Sequence, residues 1–286
     1  MQLRIATCRP LPEPDVDEDL LLDALAARGI AARMAAWNDP REDWDAPVPT
    51  LLRSTWDYIH DLPAFHDWIA RAAAAAPLWN PADVLRGNLH KRYLLDLADR
   101  GVPVVPTDLV ARGTAGSLAD RLAAQGWRDV VLKPAVGAGS FETHRFTAGA
   151  DAAAETVFAR LVATRDMLVQ PYQPSVEAHG ERALVWIDGA FTHAVRKSPR
   201  FADGVEQVSA ALPLSAAERA VGEAALAPLA GRLLYARVDV APDAAGNPQV
   251  MELELVEPSL FLLQEPLALR RLVQGVERRL RNSGVQ

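Results

Sequence analysis

The chain has 286 residues, half of them hydrophobic, and a formal net charge of −7. That length holds two or three subdomains around more than one core, and no stretch approaches the ~20 apolar residues of a membrane helix. The acidic balance argues against general nucleic-acid binding, and Cys8, the single cysteine, precludes an intrachain disulfide and a cysteine-based zinc site. Met1 to Ala6 enters a strand without a signal-peptide profile, so cytoplasmic residence is expected.

Residues 1–80 read as a small α/β unit. Strands are expected at Leu3 to Cys8, Ile30 to Trp37 and Pro49 to Arg53. Asp15 to Arg28 reads as a helix with early acidic residues that suit its dipole, ended by Gly29. Arg53-Ser54-Thr55-Trp56-Asp57-Tyr58 is either a ligand-facing lip at a strand's carboxyl end or a helix entry capped by Ser54 or Asp57. Phe65 to Ala76 is helical. Next, Tyr93, Leu94, Leu97 and Ala98 form a helical face that Asn88 is positioned to cap, leaving Lys91 in the first turn. A lysine there opposes the dipole, which a nearby anion would explain; a solvated Lys-Arg pair is the plain alternative.

A helix over Leu118 to Gln125 follows, with Thr114 or Ser117 as cap, then Val130-Val131-Leu132-Lys133-Pro134-Ala135-Val136-Gly137-Ala138-Gly139-Ser140. This stretch is a buried strand, a lysine at its end, and a glycine-rich loop whose N–H groups suit an anion such as a polyphosphate. Neither G-x-x-x-x-G-K-[ST] nor G-x-G-x-x-G occurs here. A return strand at Glu142 to Phe146, a helix at Asp151 to Ala163 and a strand at Met167 to Tyr172 come next. Glu181 to Ile187 and Ala190 to Val195 form a hairpin around Asp188-Gly189. Ser215 opens a helix, with Glu218 completing a capping box. The last elements are two strands, Leu233 to Val240 and Gln249 to Leu255, and a helix over Pro266 to Leu280.

Glu252 and Glu254 lie two apart, hence on one face of their strand, and a hairpin partner brings Asp239 beside them. Three carboxylates on one face repel unless a cation intervenes, and such oxygen donors suit Mg²⁺ shared with phosphates. A solvent-facing acidic surface is the alternative. Because Val238, Val240, Leu253 and Leu255 fill the other face, the metal reading is preferred. His144, His179 and His193 read as surface or hydrogen-bonded residues, not bases. Arg53 is a candidate anchor for a substrate carboxylate, because its fork suits bidentate binding.

The order of these features resembles the ATP-grasp superfamily of carboxylate–amine ligases. Lys91 and Lys133 match its two lysines, Gly137-Ala138-Gly139-Ser140 its flap, and Gln170-Pro171-Tyr172-Gln173 its adenine hinge. Arg196 matches its strand arginine, and Asp239, Glu252 and Glu254 its metal trio. The segment Met251 to Ser259 is similar to the bacterial glutathione synthetase pattern E-x-N-x-x-x-P-[ST], with Glu254 in place of Asn. Ala183, near a substrate arginine of that enzyme, argues against glutathione synthesis. Arg53 to Tyr58, Asn88-x-x-Lys91-x-Tyr93-Leu94, Gly180-Glu181 and His193 to Pro199 resemble the branch that contains a D-cycloserine-forming cyclo-ligase, over nearly the whole chain.

The resemblance implies an α/β, ATP-grasp fold. A Rossmann-like N-terminal domain (1–85) would precede central (86–166) and C-terminal (167–286) α+β subdomains that clamp ATP. It implies ATP and Mg²⁺ as cofactors, Glu177 or Glu181 on the ribose, and Lys91 and Lys133 on the phosphates. A substrate carboxylate would become an acylphosphate, with Lys133 and Arg196 as catalytic residues and water kept off by the flap at 137–144. Ser54, Asp57, Arg196 and Lys197 would join Arg53 at the substrate. The expected partner is a small amino-acid-like molecule, with no nucleic acid and no membrane, and with a homodimer left open. The attack could be intramolecular. Two other readings of the site are a nucleotide-binding regulator or scaffold without catalysis, and a kinase that stops at phosphoryl transfer.

Overall fold

The computed structural model describes residues 1–147, 149–198 and 207–283. Pro199, the last residue of the stretch from His193, lies outside them. Its described residues build three four-stranded sheets.

The N-terminal sheet is parallel, in the order β2-β1-β3-β4, from β1 (Gln2–Thr7), β2 (Ala31–Ala36), β3 (Thr50–Ser54) and β4 (Leu78–Trp79). β1 is buried at every position after Gln2, as a strand covered on both faces requires. One face packs Leu21 and Leu25 of α1 (Glu18–Ala26). The other packs Phe65, Trp68 and Ile69 of α2 (Leu62–Ala75). α1 starts three residues later than its acidic run predicts; Gly29, at φ +70°, turns the chain after it. Arg4 is buried inside this unit because its guanidinium donates to the carbonyls of Asp43, Ala46 and Val48.

Two short helices, α3 (Ala82–Asn88) and α4 (Tyr93–Asp99), lead to the central sheet. That sheet is antiparallel, in the order β5-β8-β6-β7, from β5 (Asp108–Val110), β6 (Val130–Pro134), β7 (His144–Phe146) and β8 (Met167–Pro171). Helices α5 (Leu118–Gln125), capped by Ser117, and α6 (Ala152–Val162), capped by Asp151, cover one face. Because β8 sits between β5 and β6, the expected boundary at 166/167 cuts the central sheet. The junction instead falls after Pro171, where the short α7 (Ser175–His179) begins the next unit.

The C-terminal sheet is antiparallel, in the order β10-β9-β11-β12, from β9 (Glu181–Ile187), β10 (Ala190–Lys197), β11 (Tyr235–Pro242) and β12 (Pro248–Glu254). Asp188 and Gly189 turn its hairpin with φ of +46° and +95°. The capping box of Ser215 and Glu218 opens α8 (Ala216–Leu226), which packs on one face together with α4. α9 (Pro266–Asn282) packs on the other face, in one core with β1 and α1.

Two buried asparagines rivet the units together. Asn80 donates to Tyr235 O at 2.9 Å and Leu255 O at 2.8 Å, and accepts from Leu234 N at 2.8 Å. Asn88 donates to Leu253 O and accepts from Leu255 N, so it grips the edge of β12. The expectation that Asn88 caps α4 is thereby corrected. It ends α3, where a strand edge with unpaired backbone groups claims its amide.

Candidate active site

A cleft of about 870 Å³ opens where the three sheets meet. The N-terminal unit contributes Trp56, Asp57 and Tyr58, the central sheet Lys133 and residues 137–141, and the C-terminal sheet its acidic face. The antiparallel register opposes Asp239 to Glu252 and Arg237 to Glu254, so all four side chains share one face.

Every one of these carboxylates meets a cation. Glu252 pairs with Lys91 at 2.8 Å and with Lys133 at 3.8 Å, and the Lys91 N–H donates to Ala135 O just beyond β6, so both lysines stand at the end of that strand. Asp239 accepts from Arg237 at 2.8 and 2.9 Å and from Lys197 at 2.6 Å. Arg237 also pairs with Glu254, and Lys197 lies 3.5 Å from Glu181. Burial works to raise Asp239 and Glu252, but the neighbouring cations win and hold both below the usual carboxylate range. Glu254 is pushed up to about 7 and Glu181 to about 8, chiefly by burial. Burial also lowers Lys133, with Lys91 adding repulsion, whereas the acids around Lys91 outweigh its burial and raise it.

The structure brings most of the expected residues to this cleft. Lys91, Lys133, Gly137, Ala138, Gly139, Ser140, Gln170, Pro171, Tyr172, Gln173, Glu181, Lys197, Asp239, Glu252, Glu254 and Asp57 all line it. Lys91 Nζ donates to Gly137 O, and Phe141 stands edge-on to His60 at 5.4 Å, so the flap reaches down onto the N-terminal wall. Gly139 and Ser140, at φ +57° and +62°, make the reversal there. Asp57 reads as a lip residue, not a cap: its oxygens accept from Trp37 Nε1 and Asn38 Nδ2, both at 2.6 Å.

Four expected residues stand elsewhere. Arg196 is exposed on the outer face of β10, because strand alternation that turns Lys197 inward turns its neighbour outward. Its stem packs against Gly180, where a Cβ would lie 2.6 Å from Arg196 Cγ. Glu177 lies outside the cleft, paired with Arg145 and accepting from the Tyr172 hydroxyl, so Glu181 alone of the two ribose candidates lines it. Arg53 is only 2 % exposed and donates to Pro258 O at 2.8 Å, behind the cleft wall. Ser54 is fully buried and donates to Thr7 Oγ1.

Arg237 escaped the sequence reading, although its position two before Asp239 on the same strand was the available signal. Glu257, which also lines the cleft, escaped it too. No three metal-ligating side chains are gathered among the described residues, because protein cations fill the gaps. The donor chemistry still fits a hard divalent cation. Glu252 and Glu254 keep 24 % and 25 % of their side chains open, and Glu254 lacks enough counter-charge to ionise at its ordinary pKa. Asp239, 1 % open and with both oxygens taken, holds Arg237 and Lys197 in place.

The family described as "D-cycloserine synthetase DcsG, N-terminal domain" matches residues 3–80. The chain is 35% identical over 283 residues to the cycloserine biosynthesis protein DcsG of Streptomyces lavendulae, covering 93% of this chain and 95% of that protein. The crystal structure of D-cycloserine synthetase DcsG superposes with a TM-score of 0.90 at 35% identity, over 98% of this chain and 100% of that one. A RimK domain ATP-grasp protein from Sphaerobacter thermophilus gives a TM-score of 0.72 at 20% identity, over 96% and 98% of the two chains. D-alanyl-alanine synthetase A from Vibrio cholerae gives 0.73 at 11% identity, over 100% and 99%. These last two likenesses concern the fold, which is that of ATP-grasp proteins, and the identity along the chain assigns it to the DcsG family.

Proposed function

We propose that this protein is an ATP- and Mg²⁺-dependent ligase that activates an amino-acid-like carboxylate and closes it on a nitrogen of the same molecule. The observation that carries the reading is the meeting of Lys91 and Lys133, neighbours at the end of β6, at Glu252 beside Glu254. Ammonium groups so placed suit a triphosphate, and the acids suit the divalent ion that travels with it. Mg²⁺ held by Glu252 and Glu254 would supply charge neutralisation to the phosphates.

In this reading Gln170 to Gln173 hold the adenine and Glu181 the ribose. Lys91 and Lys133 orient the triphosphate so that a carboxylate oxygen attacks the γ-phosphorus, ADP leaves, and an acylphosphate forms. A nitrogen of the same substrate then attacks the acyl carbon. The C–N bond forms, inorganic phosphate leaves, and the nitrogen gives up a proton. Lys197 and Arg237 line the cleft and Arg196 does not, which supports giving the first two the charge that grows on the acyl oxygen and the leaving phosphate. The flap keeps water from the acylphosphate while it is closed against His60.

The name of the DcsG relative points to a five-membered cyclic hydroxamate as product, in which the carboxyl carbon is bonded to a side-chain N–O nitrogen. The test is ADP release with D- and L-amino acids carrying aminooxy side chains, with product mass read in parallel. Loss of one water from the amino acid, with one ADP and one phosphate per ring, is expected. ADP release with only a hydroxylamine-trappable acyl phosphate would instead identify a kinase. No ADP release with any carboxylate would defeat the ligase reading.

A further inference from the structure

The strand that carries Glu252 and Glu254 runs on into a segment with an unusual frame. Five successive carbonyls, 255 to 259, each accept from a side chain of a distant element. Leu255 O takes Asn80 at 2.8 Å, Val256 O the Tyr235 hydroxyl at 2.7 Å, and Glu257 O the Trp56 indole at 3.1 Å. Pro258 O takes Arg53 at 2.8 Å, and Ser259 O takes Arg237 at 3.3 Å. Donors from the N-terminal unit and from β11 thus fix this backbone, which presents the Glu257 carboxyl to the cleft. Here the buried Arg53 finds its role, as a clamp on the segment and not as a substrate anchor.

Glu257 differs from the other acids around it. Asp239, Glu252, Glu254 and Glu181 each have a lysine or arginine within ion-pair distance, whereas Glu257 has none among the described residues. Its neighbours are Glu254, Lys91, the Tyr58 hydroxyl and Glu252. A half-buried carboxylate that faces the cleft without an ion pair favours a cation brought in by a ligand. Asp57, another acid lining the cleft, is already held by two donors.

We infer that Glu257 receives the α-ammonium of the amino-acid substrate, between the aromatic wall of Trp56 and Tyr58 and the phosphate end of the cleft. This rests on the ligase reading and adds to it a residue that selects amino acids over simple carboxylates. A fixed carboxylate that meets a charged amine is worth enough to discriminate strongly against the same molecule without that amine.

Two probes isolate the contact: D-cycloserine, and isoxazolidin-3-one, the same ring without its amino group. Binding is measured by calorimetry with ADP and Mg²⁺ present. The wild type is expected to prefer D-cycloserine, and Glu257→Gln to weaken it by at least about tenfold while leaving isoxazolidin-3-one unchanged. Glu257→Asp, which keeps the charge, is expected to retain part of the preference, and it serves as the test should the Gln variant fail to fold. Equal loss of both ligands, no loss, or a wild type indifferent to the amine overturns the assignment while leaving ADP release, and with it the ligase reading, intact. A wild type that binds neither ring overturns the assignment and the ring-product reading together.

Discussion

Asp239 has both oxygens occupied, by Arg237 and by Lys197, in a place almost closed to solvent. Removing one partner from such a cluster strands the others. Asp239→Asn is therefore expected to cost about 3–5 kcal/mol of stability, read as a lower urea midpoint. A midpoint equal to wild type would show that water already compensates Lys197 and Arg237. The two neighbours on β10 make a sharper pair. Arg196→Ala should leave kcat within about twofold, whereas Lys197→Ala should lower it roughly 100-fold. The reverse order would return the catalytic cation to the outer face. Titration adds a third expectation. Glu181 and Glu257 are both raised to about 8, so in the folded protein they hold protons that the unfolded chain releases near the ordinary glutamate value. Their contribution is complete below that value and is lost as pH rises through 8. Melting of the nucleotide-free protein should thus fall by at least about 3 °C between pH 5.5 and 8, and less in Glu257→Gln. A curve that rises with pH over this window would contradict the sign.

At the scale of elements, patterns that a single strand or helix imposes on itself were legible in the sequence. Alternation located Glu252 and Glu254 on one face, Ser215 with Glu218 announced α8, and Asp188-Gly189 announced the β9–β10 turn. What one element demands of another was not legible. Asn88 follows the local rules of a helix cap, yet β12 takes its amide. Arg53 stands near the end of its strand, where ligand-binding residues gather, yet Pro258 claims it from more than two hundred residues away. The central-to-C-terminal junction was misjudged because β8 inserts between two strands that precede it, and insertion order leaves no mark on local periodicity. Asn80 is the strongest case of such long-range demand. Its buried hydrogen bonds join the end of the N-terminal sheet to β11 and the segment after β12. Asn80→Ala should destabilise the protein by about 3 kcal/mol or more, because two carbonyls and one N–H lose partners without gaining water. Single-domain-like loss of all structure in one transition is expected, and a separate early melting of the N-terminal sheet would show that the units are less firmly joined than these bonds imply.

For the whole molecule, the cleft is held together by opposite charge across subdomains. Glu252 on the C-terminal sheet pairs with Lys133 on the central sheet and with Lys91 at the junction, and Lys91 also holds the flap through Gly137. On the proposed reading, a nucleotide competes with Glu252 for those two lysines unless a divalent ion takes the glutamate in exchange. This gives Glu252→Gln two opposite effects. Without Mg²⁺, the lysines are left without their partner, so the variant should bind ADP about 3- to 10-fold more tightly than wild type, a gain of the size expected for one partly desolvated charge pair. With Mg²⁺, the lost carboxylate removes a ligand for the ion, so turnover should collapse and the tightening that Mg²⁺ confers on wild type should shrink. Titrating ADP into both proteins, with chelator and then with Mg²⁺, separates the two effects in one experiment. If the variant binds Mg²⁺-free ADP more weakly, Glu252 is not a competitor for Lys91 and Lys133 but a support that holds them in place. The same measurement thus decides whether the charge balance seen across the cleft is a latch that substrate opens or a fixed part of the frame.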